Sequence, residues 1–444
     1  MSASWPPDVD MLDVIGDWLY SQRWFPGSVG DSVRLVANLD LSALSGPTDT
    51  HPDDVDVLEP VWISIIEVGE TFIQVPLAYT DVKPDYGVVA QVRDAWIVDG
   101  AYSPAFLRAW LRKAHATGTL YPIDPTRADE VLDELLSHVE QSQVLTGEQS
   151  NTSVLFDCQY ACVLKILRVL HAGDHPELEI TTALAHAGWK HIAAPIAYLE
   201  ERLSVPELSR SPVLLGIAGS LVRGARDGFD LFVDLASRDE DPAPLARELG
   251  AVTAGLHQHL AQALGTFDAP TPEALHTRLL VNLAASAAEV PQLRESVLIE
   301  RLESVIDRIQ HLDELPATIR IHGDYHLGQT LYGEGGWFIL DFEGEPLRPL
   351  SERSKPDLAL RDVAGMLRSF DYAAAKGSAS SWWVNSARSA FIAGYTNDGG
   401  FGEVEDELIR ALEIEKTAYE AVYEYRLRPD WISIPLSALD RLAH

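Results

Sequence analysis

Asp324, Gln329 and Asp341 are the residues whose types and spacing best fit a chemical task. The first two lie in the motif RIHGDYHLGQ at residues 320–329, and Asp341 follows the apolar run WFIL at residues 337–340. A loop carboxylate such as Asp324 can orient or deprotonate an acceptor hydroxyl as the catalytic group. An amide oxygen and a second carboxylate can hold Mg²⁺ on the phosphates of ATP. The spacing therefore predicts phosphoryl transfer with ATP and Mg²⁺.

The order of these groups resembles that of kinases, in which H-R-D-x-x-x-x-N is followed by D-F-G. Here the corresponding segments read H-x-D-x-x-x-x-Q at residues 322–329 and D-F-E at residues 341–343. We expect strands at residues 318–321 and 337–340 to form a small hairpin with both carboxylates at one end. The alternative is a surface hairpin that carries acidic residues by chance. The sequence favours the kinase.

Composition limits the classes of partner. The 444 residues include 67 acidic and 34 basic side chains, which gives a net charge of −33. Such a charge repels phosphate backbones and anionic lipids, so we expect neither a nucleic acid nor a membrane as partner. The longest apolar runs are far shorter than the ~20 residues that span a bilayer. The amino terminus lacks the basic and apolar regions of a signal peptide, which predicts a cytoplasmic protein.

Two cysteines and two histidines imitate a zinc motif. Cys158, Cys162, His171 and His175 follow one another with a middle spacer shorter than the usual ~12 residues. The surrounding segment alternates like a strand, so we expect the cysteines to lie in a hairpin and no zinc to be bound there.

The chain changes from β-rich to helical. We expect an amphipathic helix at residues 11–21 and strands at residues 62–67 and 71–79. Further predicted helices and strands cover residues 104–115, 127–139, 177–187, 192–199 and 213–222. Beyond residue 224 the pattern is helical, with helices at residues 245–263, 272–288, 298–311 and 404–428.

Three features could bind the nucleotide in the β-rich half. The turn of Ser150, Asn151, Thr152 and Ser153 could cover phosphate oxygens, although a plain hairpin turn fits equally well. Lys165 lies in an apolar strand and requires an anion nearby, for which Glu179 is the first and Glu177 the second candidate. The alternative is a lysine of an edge strand that points to water. The backbone around Ala218 and Leu221 is expected to hold adenine.

The predicted helix at residues 404–428 carries a mixed stripe of Lys416, Tyr419, Glu420 and Tyr423 at helical spacing. Aromatic faces together with charged groups suit a sugar, whose CH faces stack and whose hydroxyls need donors and acceptors. From the pattern alone, a solvated amphipathic helix with incidental tyrosines remains the alternative.

The chain resembles actinobacterial maltokinases, within the aminoglycoside-phosphotransferase-like kinases. The resemblance covers nearly the whole length. It rests on DWLYSQRWF (residues 17–25), EQSNTS (148–153), IHGDYHLGQ (321–329), LDFEGEP (340–346), LRDVAGMLRSFDY (360–372), YEAVYE (419–424) and RPDW (428–431).

This resemblance implies an α+β, two-lobed protein-kinase-like fold. An amino-terminal β-rich cap would occupy residues 1–100, an intermediate nucleotide-binding lobe residues 101–223 and a mainly helical lobe residues 224–444. The implied reaction is ATP-dependent phosphorylation of maltose at its anomeric hydroxyl for α-glucan (glycogen) synthesis. Maltose would lie against the helix at 404–428, with His326 and Glu343 lining the acceptor pocket.

Two other functions remain open. The chain could phosphorylate another small acceptor, such as glucosamine or an aminoglycoside. It could also be a catalytically silent partner of a trehalose synthase-like enzyme, although the intact Asp324, Gln329, Asp341 and Lys165 argue against silence.

Overall fold

The computed structural model describes residues 10–28, 30–46, 59–145, 150–294, 296–345 and 350–444. The chain divides into two compact units. The first comprises Met1–Ala185 and Ala193–Leu221, and the second comprises His186–Ile192 and Val222–His444. The division after Leu221 lies close to the boundary predicted at residue 223, whereas residue 100 falls inside the first unit.

The first unit begins with a helix and an antiparallel sheet. The elements are α1 (Met11–Tyr20), β1 (Val33–Asp40), β2 (Val61–Val68), β3 (Thr71–Thr80), β4 (Val88–Val92) and β5 (Ala95–Asp99). Among the described residues the strand order is β1-β2-β3-β5-β4, and a further short strand, β9 (Val169–Leu170), also pairs with β3. Most residues of β2 and β3 are buried, because one face packs on α1 and the other on the next helix, α2 (Pro104–Ala116). A strand buried on both faces reads as a continuous apolar run.

A second sheet of this unit follows two helices. The elements are α2 (Pro104–Ala116), α3 (Ala128–Ser137), β6 (Gln143–Val144), β7 (Thr152–Phe156), β8 (Cys162–Ile166), β9 (Val169–Leu170), α4 (Pro176–His186), β10 (Pro195–Glu201) and β11 (Val213–Ser220). The strand order is β10-β11-β8-β7-β6. Ser103 starts α2 by accepting the N–H of Phe106 at 3.3 Å, and Pro104 occupies the first helical turn.

The second unit is mainly helical. It contains β12 (Arg226–Asp227), α5 (Gly228–Ser237), α6 (Ala243–Leu264), β13 (Thr266–Phe267), α7 (Pro272–Glu289), α8 (Ser296–Ile306), β14 (Thr318–Ile319), β15 (Thr330–Gly333), β16 (Gly336–Ile339), α9 (Leu350–Arg353), α10 (Leu360–Gly377), α11 (Ser381–Tyr395), α12 (Glu403–Leu427) and α13 (Ser433–Leu442). The helix α10 is mostly buried and contacts α5, α11 and α12. No helix in the described part of the chain combines the length and apolar character needed to cross a membrane.

The hairpin predicted around the catalytic loop (residues 320–329, named for their predicted role) is wrong. β14 pairs with β13 in a separate two-stranded sheet, and β16 pairs with β15 instead. The error arises because β14 finds its partner about fifty residues earlier in the chain, which local patterns do not reveal. The predicted helices and the change from a mixed to a helical region are confirmed, while β1, β4, β5, α5 and α11 are elements that the sequence reading missed.

Candidate active site

The catalytic loop is held by a buried carboxylate. Asp362 of α10 is 1% exposed and accepts the backbone N–H groups of His322 at 2.8 Å and Gly323 at 2.9 Å. Its Oδ2 also lies 3.2 Å from Nε2 of His257. Burial alone would raise the pKa of Asp362, but the hydrogen bond and charge of His257 outweigh it and hold that pKa below its usual range. Asp362 therefore remains a carboxylate, and it fixes the backbone of the loop at the two residues that precede Asp324.

The helix α10 approaches the same loop along one face. Asp362, Gly365 and Ser369 are spaced at three and four residues and so share that face. A Cβ atom on Gly365 would lie 2.5 Å from the carbonyl oxygen of Tyr325, so only glycine permits this approach. Further along, Ser369 Oγ accepts the N–H of Leu327 at 3.0 Å. The motif LRDVAGMLRS thus supplies three successive supports for the catalytic loop.

A second turn carries the predicted metal ligands. His322 Nε2 donates to the carbonyl oxygen of Leu340 at 2.9 Å, which ties the catalytic loop to this turn. Asp341 adopts a left-handed conformation with φ of 62°, which is unusual for a residue with a side chain and is typical of functional turns. Gln329 Nε2 donates to Asp341 Oδ2 at 3.0 Å. The amide oxygen and the carboxylate of this pair are hard oxygen ligands, so the donor set fits Mg²⁺.

Asp324 is ion-paired with a lysine. Lys416 Nζ lies 3.3 Å from Asp324 Oδ1 and 2.9 Å from Glu345 Oε1. The side chains of Lys416 and Glu345 are 14% and 4% exposed. Burial alone would lower the pKa of Lys416, but the surrounding carboxylates, Glu345 first, outweigh burial and raise that pKa above its ordinary value. The lysine is therefore a fixed ammonium group beside the candidate catalytic carboxylate.

The charges of Asp324 and Asp341 act on the side chains of both His326 and Arg353. Burial, with the nearby charge of Lys416, lowers the pKa of His326 below its ordinary value despite the opposing effect of Asp324. Its Nδ1 accepts the N–H of Gly328 at 3.1 Å, so the neutral ring carries its proton on Nε2. Burial likewise lowers the pKa of Arg353, against the charges of Glu343, Asp324 and Asp341.

A cavity of about 430 Å³ lies next to Lys416 in the second unit. The described residues around it are Asn282, Ala285, Ser286, Glu289, Glu345, Arg361, Leu412, Glu415, Lys416, Tyr419, Val422, Tyr423, Arg426 and Leu427. Three carboxylates and three cationic side chains balance one another in this lining. The Lys416 ammonium also lies 5.4 Å from the ring centroid of Tyr419. The structure therefore places three members of the predicted stripe, Lys416, Tyr419 and Tyr423, on one cavity.

The other predicted acceptor residues do not line this cavity. Glu420 Oε2 accepts from Nε of Arg368 at 2.9 Å, and Arg368 is fully buried. Burial raises the pKa of Glu420, and Arg368 opposes that shift. His326 and Glu343 are half-buried outside the lining of the cavity. Sugar contacts by these three residues stay predictions.

Sequence reasoning missed several polar residues of the cavity, among them Arg361, Asn282, Glu345 and Glu415. Arg361 lies 3.4 Å from Glu345 and 3.6 Å from Glu415, and Asn282 donates to Glu415 at 2.7 Å. Glu345 stands two residues after Glu343, and Glu415 directly precedes Lys416. The sequence signal for Glu345 and Glu415 was their position close to predicted site residues. Helical periodicity, however, places Glu415 outside the stripe that contains Lys416.

In the first unit, the predicted phosphate turn is bonded to an arginine. Asn151 Oδ1 accepts the N–H of Arg168 at 3.0 Å, and Thr152 Oγ1 accepts from its Nε at 2.8 Å. Ser153 is 6% exposed in β7, while Ser150 is exposed before that strand. Residues 146–149, which include the first two residues of the motif EQSNTS, lie outside the described residues.

Lys165 lies on a central strand. β8 runs between β7 and β11, and Lys165 pairs in register with Ser153 and Ile217. The alternative of an edge-strand lysine is therefore wrong. Glu179 is half-buried on α4, and its pairing with Lys165 stays a prediction. Ala218 lies in β11, and Leu221 is the last residue of the first unit.

The cysteines lie where a hairpin was expected. Cys162 begins β8 and Cys158 lies in the turn before it. Among the described residues Cys158 groups with Glu134 and His138 as potential ligands, not with His171 or His175. Burial raises the pKa of the Cys162 thiol, so that residue is protonated at neutral pH.

Residues 165–407, more than half of the chain, match the model of the phosphotransferase enzyme family. The chain belongs to this family. A glucosamine kinase of Streptacidiphilus jiangxiensis is 28% identical over 323 residues, which are 66% of this chain and 72% of that protein. A glucosamine kinase of Mycolicibacterium smegmatis is 27% identical over 321 residues, 67% of this chain and 78% of that protein.

A solved structure has the same fold over the full length. It is a glucosamine kinase in complex with glucosamine, ADP and inorganic phosphate, with a TM-score of 0.63, 21% sequence identity and 100% coverage of both chains. The expected α+β kinase-like fold is thus confirmed, with a β-sheet amino-terminal region and a helical carboxy-terminal one. The protein is a transferase of the small-molecule kinase type.

Proposed function

We propose that the protein is an ATP-dependent kinase that phosphorylates a hydroxyl group of a glucose-based sugar. The arrangement of Asp324, Lys416 and Glu345 carries this proposal. Lys416 and Glu345 line the cavity, and Lys416 Nζ lies 3.3 Å from Asp324 Oδ1. A hydroxyl bound beside the ammonium and the Glu345 carboxylate would have both a donor and an acceptor, and Asp324 would be within reach of its proton.

The roles of the residues follow from their chemistry. Asp324 orients the acceptor hydroxyl and takes its proton as the hydroxyl oxygen bonds to the γ-phosphorus of ATP and ADP leaves. Gln329 and Asp341 would hold Mg²⁺ through oxygen atoms. When bound, Mg²⁺ supplies positive charge that neutralises the transferring phosphate oxygens. Asp362 and Ser369 keep the catalytic loop in place, which is the positioning on which phosphoryl transfer depends.

We propose the same nucleotide-binding residues in the first unit as the sequence predicts. Lys165, with Glu179 as partner, would neutralise phosphate oxygens of ATP. The turn of Ser150, Asn151, Thr152 and Ser153 would cover these phosphates, and the backbone at Ala218 and Leu221 would bind adenine. The central position of Lys165 in its sheet supports this proposal, because a strand lysine away from the edge requires an anionic partner.

Glucosamine is the first candidate acceptor. Two relatives that match two thirds of the chain are glucosamine kinases, and a fold neighbour binds glucosamine. Glu345 and Asp324 already hold one ammonium group, that of Lys416, between them. Carboxylates placed in this way could also attract the ammonium group of an amino sugar.

Maltose is the second candidate, and the fixed charge of Lys416 favours it. A second ammonium beside Lys416 is repelled, whereas a neutral hydroxyl accepts a hydrogen bond from it. The tyrosines at positions 419 and 423 lie about one helical turn apart, roughly 5–6 Å, which is the scale of one sugar ring. Both line the cavity beyond Lys416, where a second hexose ring could stack.

One comparison tests the proposal. The kcat/KM values for glucosamine, maltose, glucose and kanamycin are measured with ATP and Mg²⁺ under one set of conditions, with Asp324→Asn as the inactive background. A glucose-based sugar should be the best substrate. The ranking of glucosamine and maltose then selects the acceptor, since the two differ in charge and ring number. Turnover of kanamycin above every sugar, or no turnover of any sugar, would exclude the proposal.

A further inference from the structure

Arg168 is a fully buried cation in the first unit. It lies between β8 and β9, three residues after Lys165, and its side chain is 0% exposed. A buried guanidinium is costly unless several groups compensate its charge and its hydrogen-bond donors. The groups that contact Arg168 therefore indicate which parts of the structure it connects.

One set of partners comes from the amino-terminal hundred residues. Nη2 of Arg168 donates to Asp99 Oδ2 at 2.6 Å, and the guanidinium carbon lies 4.4 Å from the ring centroid of Trp24. The other oxygen of Asp99 accepts the N–H of Ala101 at 3.1 Å, so the carboxylate is held at both ends. Trp24, from the motif DWLYSQRWF, thus covers the cation with a ring face.

The other partners are the residues that precede and begin β7. The Nε of Arg168 donates to Thr152 Oγ1 at 2.8 Å, and its backbone N–H donates to Asn151 Oδ1 at 3.0 Å. The carbonyl oxygen of Arg168 accepts the N–H of Gln74 at 2.9 Å, which fixes its backbone from β3. A single arginine therefore connects Trp24 and Asp99 to Asn151 and Thr152.

We propose that Arg168 is a positioning residue for ATP, and that Trp24 and Asp99 set the affinity for ATP through it. The side chain of Asn151 and that of Thr152 are each hydrogen-bonded to Arg168. Their role is therefore to fix the shape of the turn. Ser150, which is exposed before β7, would then be the residue of this turn that meets the phosphates. This inference rests on the proposed kinase function. It gives the motif at residues 17–25 a task in nucleotide binding.

The test compares two conservative arginine variants. Arg168→Lys keeps the charge for Asp99 but cannot donate in the forked geometry that also reaches Thr152. Arg127→Lys is the matched control, because Arg127 also stacks on an aromatic ring, that of Tyr160, in the same unit but on the surface. Trp24→Leu tests the ring face separately.

Dissociation constants for ATP are measured by calorimetry, alongside kcat and the KM values for ATP and sugar. Arg168→Lys and Trp24→Leu should each raise the Kd and KM for ATP by about fivefold or more, as expected for coupled sites. The KM for the sugar should change by less than about twofold, as should every constant of Arg127→Lys. A merely structural role would lower the active fraction and the Tm without changing the Kd of the folded protein.

Two failures can be told apart. Wild-type protein that binds no ATP would overturn the kinase function itself. Wild-type protein that binds ATP and phosphorylates a sugar, with a folded Arg168→Lys variant of equal ATP affinity, would overturn the positioning role alone. If Arg168→Lys does not fold, Thr152→Val tests the positioning role instead. This variant removes only the hydroxyl that accepts from Nε of Arg168. It should also weaken ATP binding, and unchanged affinity would overturn the inference.

Discussion

Nζ of Lys416 lies 3.3 Å from Oδ1 of Asp324, which joins α12 to the catalytic loop although the two residues are 92 positions apart. The candidate catalytic aspartate thus has a charged ammonium group as its neighbour. Glu345 shares this ammonium at 2.9 Å and is itself 3.4 Å from Arg361. These ion pairs fix the charges around Asp324 within the protein itself.

Asp324→Asn should lower kcat by about 10²- to 10⁴-fold, because the amide keeps the size of the side chain but cannot accept the hydroxyl proton. Steady-state phosphate transfer measures the effect, and thermal unfolding verifies the fold. More than about a tenth of wild-type turnover, a loss of under 1.4 kcal/mol in barrier terms, would show that Asp324 is not the catalytic group.

Asp341→Ala should abolish turnover, since it removes the carboxylate expected to hold Mg²⁺. Glu334→Ala, an exposed change in the neighbouring β15–β16 turn, is the control and should be neutral. Activity is measured over a Mg²⁺ titration and after treatment with EDTA. The metal role is rejected if EDTA leaves wild-type activity unchanged or if Asp341→Ala turns over normally.

Lys416→Met should have opposite effects on the two candidate sugars. The KM for maltose should rise about tenfold, since a hydrogen bond from a charged group contributes about 1.5–3 kcal/mol. The KM for glucosamine should fall, because the repelling ammonium is gone while the carboxylates remain. Glu345 keeps Arg361 as a partner, so the variant should fold. The exposed Lys376→Met is the control, and equal shifts for both sugars would contradict the proposed charge effect.

Gly365→Ala should lower kcat with little change in the affinity for ATP. The added Cβ would lie 2.5 Å from the carbonyl oxygen of Tyr325, so α10 or the catalytic loop must move. Gly16→Ala is the matched control in a helix, because nothing lies within 4 Å of its added Cβ. It should be neutral or stabilising by up to about 1 kcal/mol. A fully active Gly365→Ala would show that the loop tolerates displacement.

Acid should destabilise the protein partly through His326. Its pKa is lowered in the folded state, mainly by burial, from an ordinary value of 6.5. Below that pH the unfolded chain binds more protons, so the stability that is present above pH 6.5 is lost as pH falls towards the folded pKa. The slope for one proton is at most about 1.4 kcal/mol per pH unit. Chemical unfolding of wild type and His326→Gln from pH 7.5 to 5 measures it, and identical slopes would refute the assignment.

Local sequence was sufficient to identify the candidate catalytic and metal-binding residues and to predict that two of them are neighbours. Asp324, Gln329 and Asp341 lie within eighteen residues, and the structure confirms that Gln329 and Asp341 are neighbours at 3.0 Å. The stripe of Lys416, Tyr419 and Tyr423 was predictable because helical periodicity alone decides which residues share a face. The spacing of residues along the chain therefore determines which side chains are neighbours within one loop or one helix.

Contacts between distant segments depended on the tertiary structure. The pairing of β14 with β13, the support of His322 by Asp362 and the link from Trp24 through Arg168 to Thr152 join positions about 40 to 130 residues apart. Such contacts are selected by packing of the whole core and not by local propensity. Glu420 shares the stripe by helical spacing, but its carboxylate accepts from Nε of the buried Arg368, a contact that only the packing of the core decides.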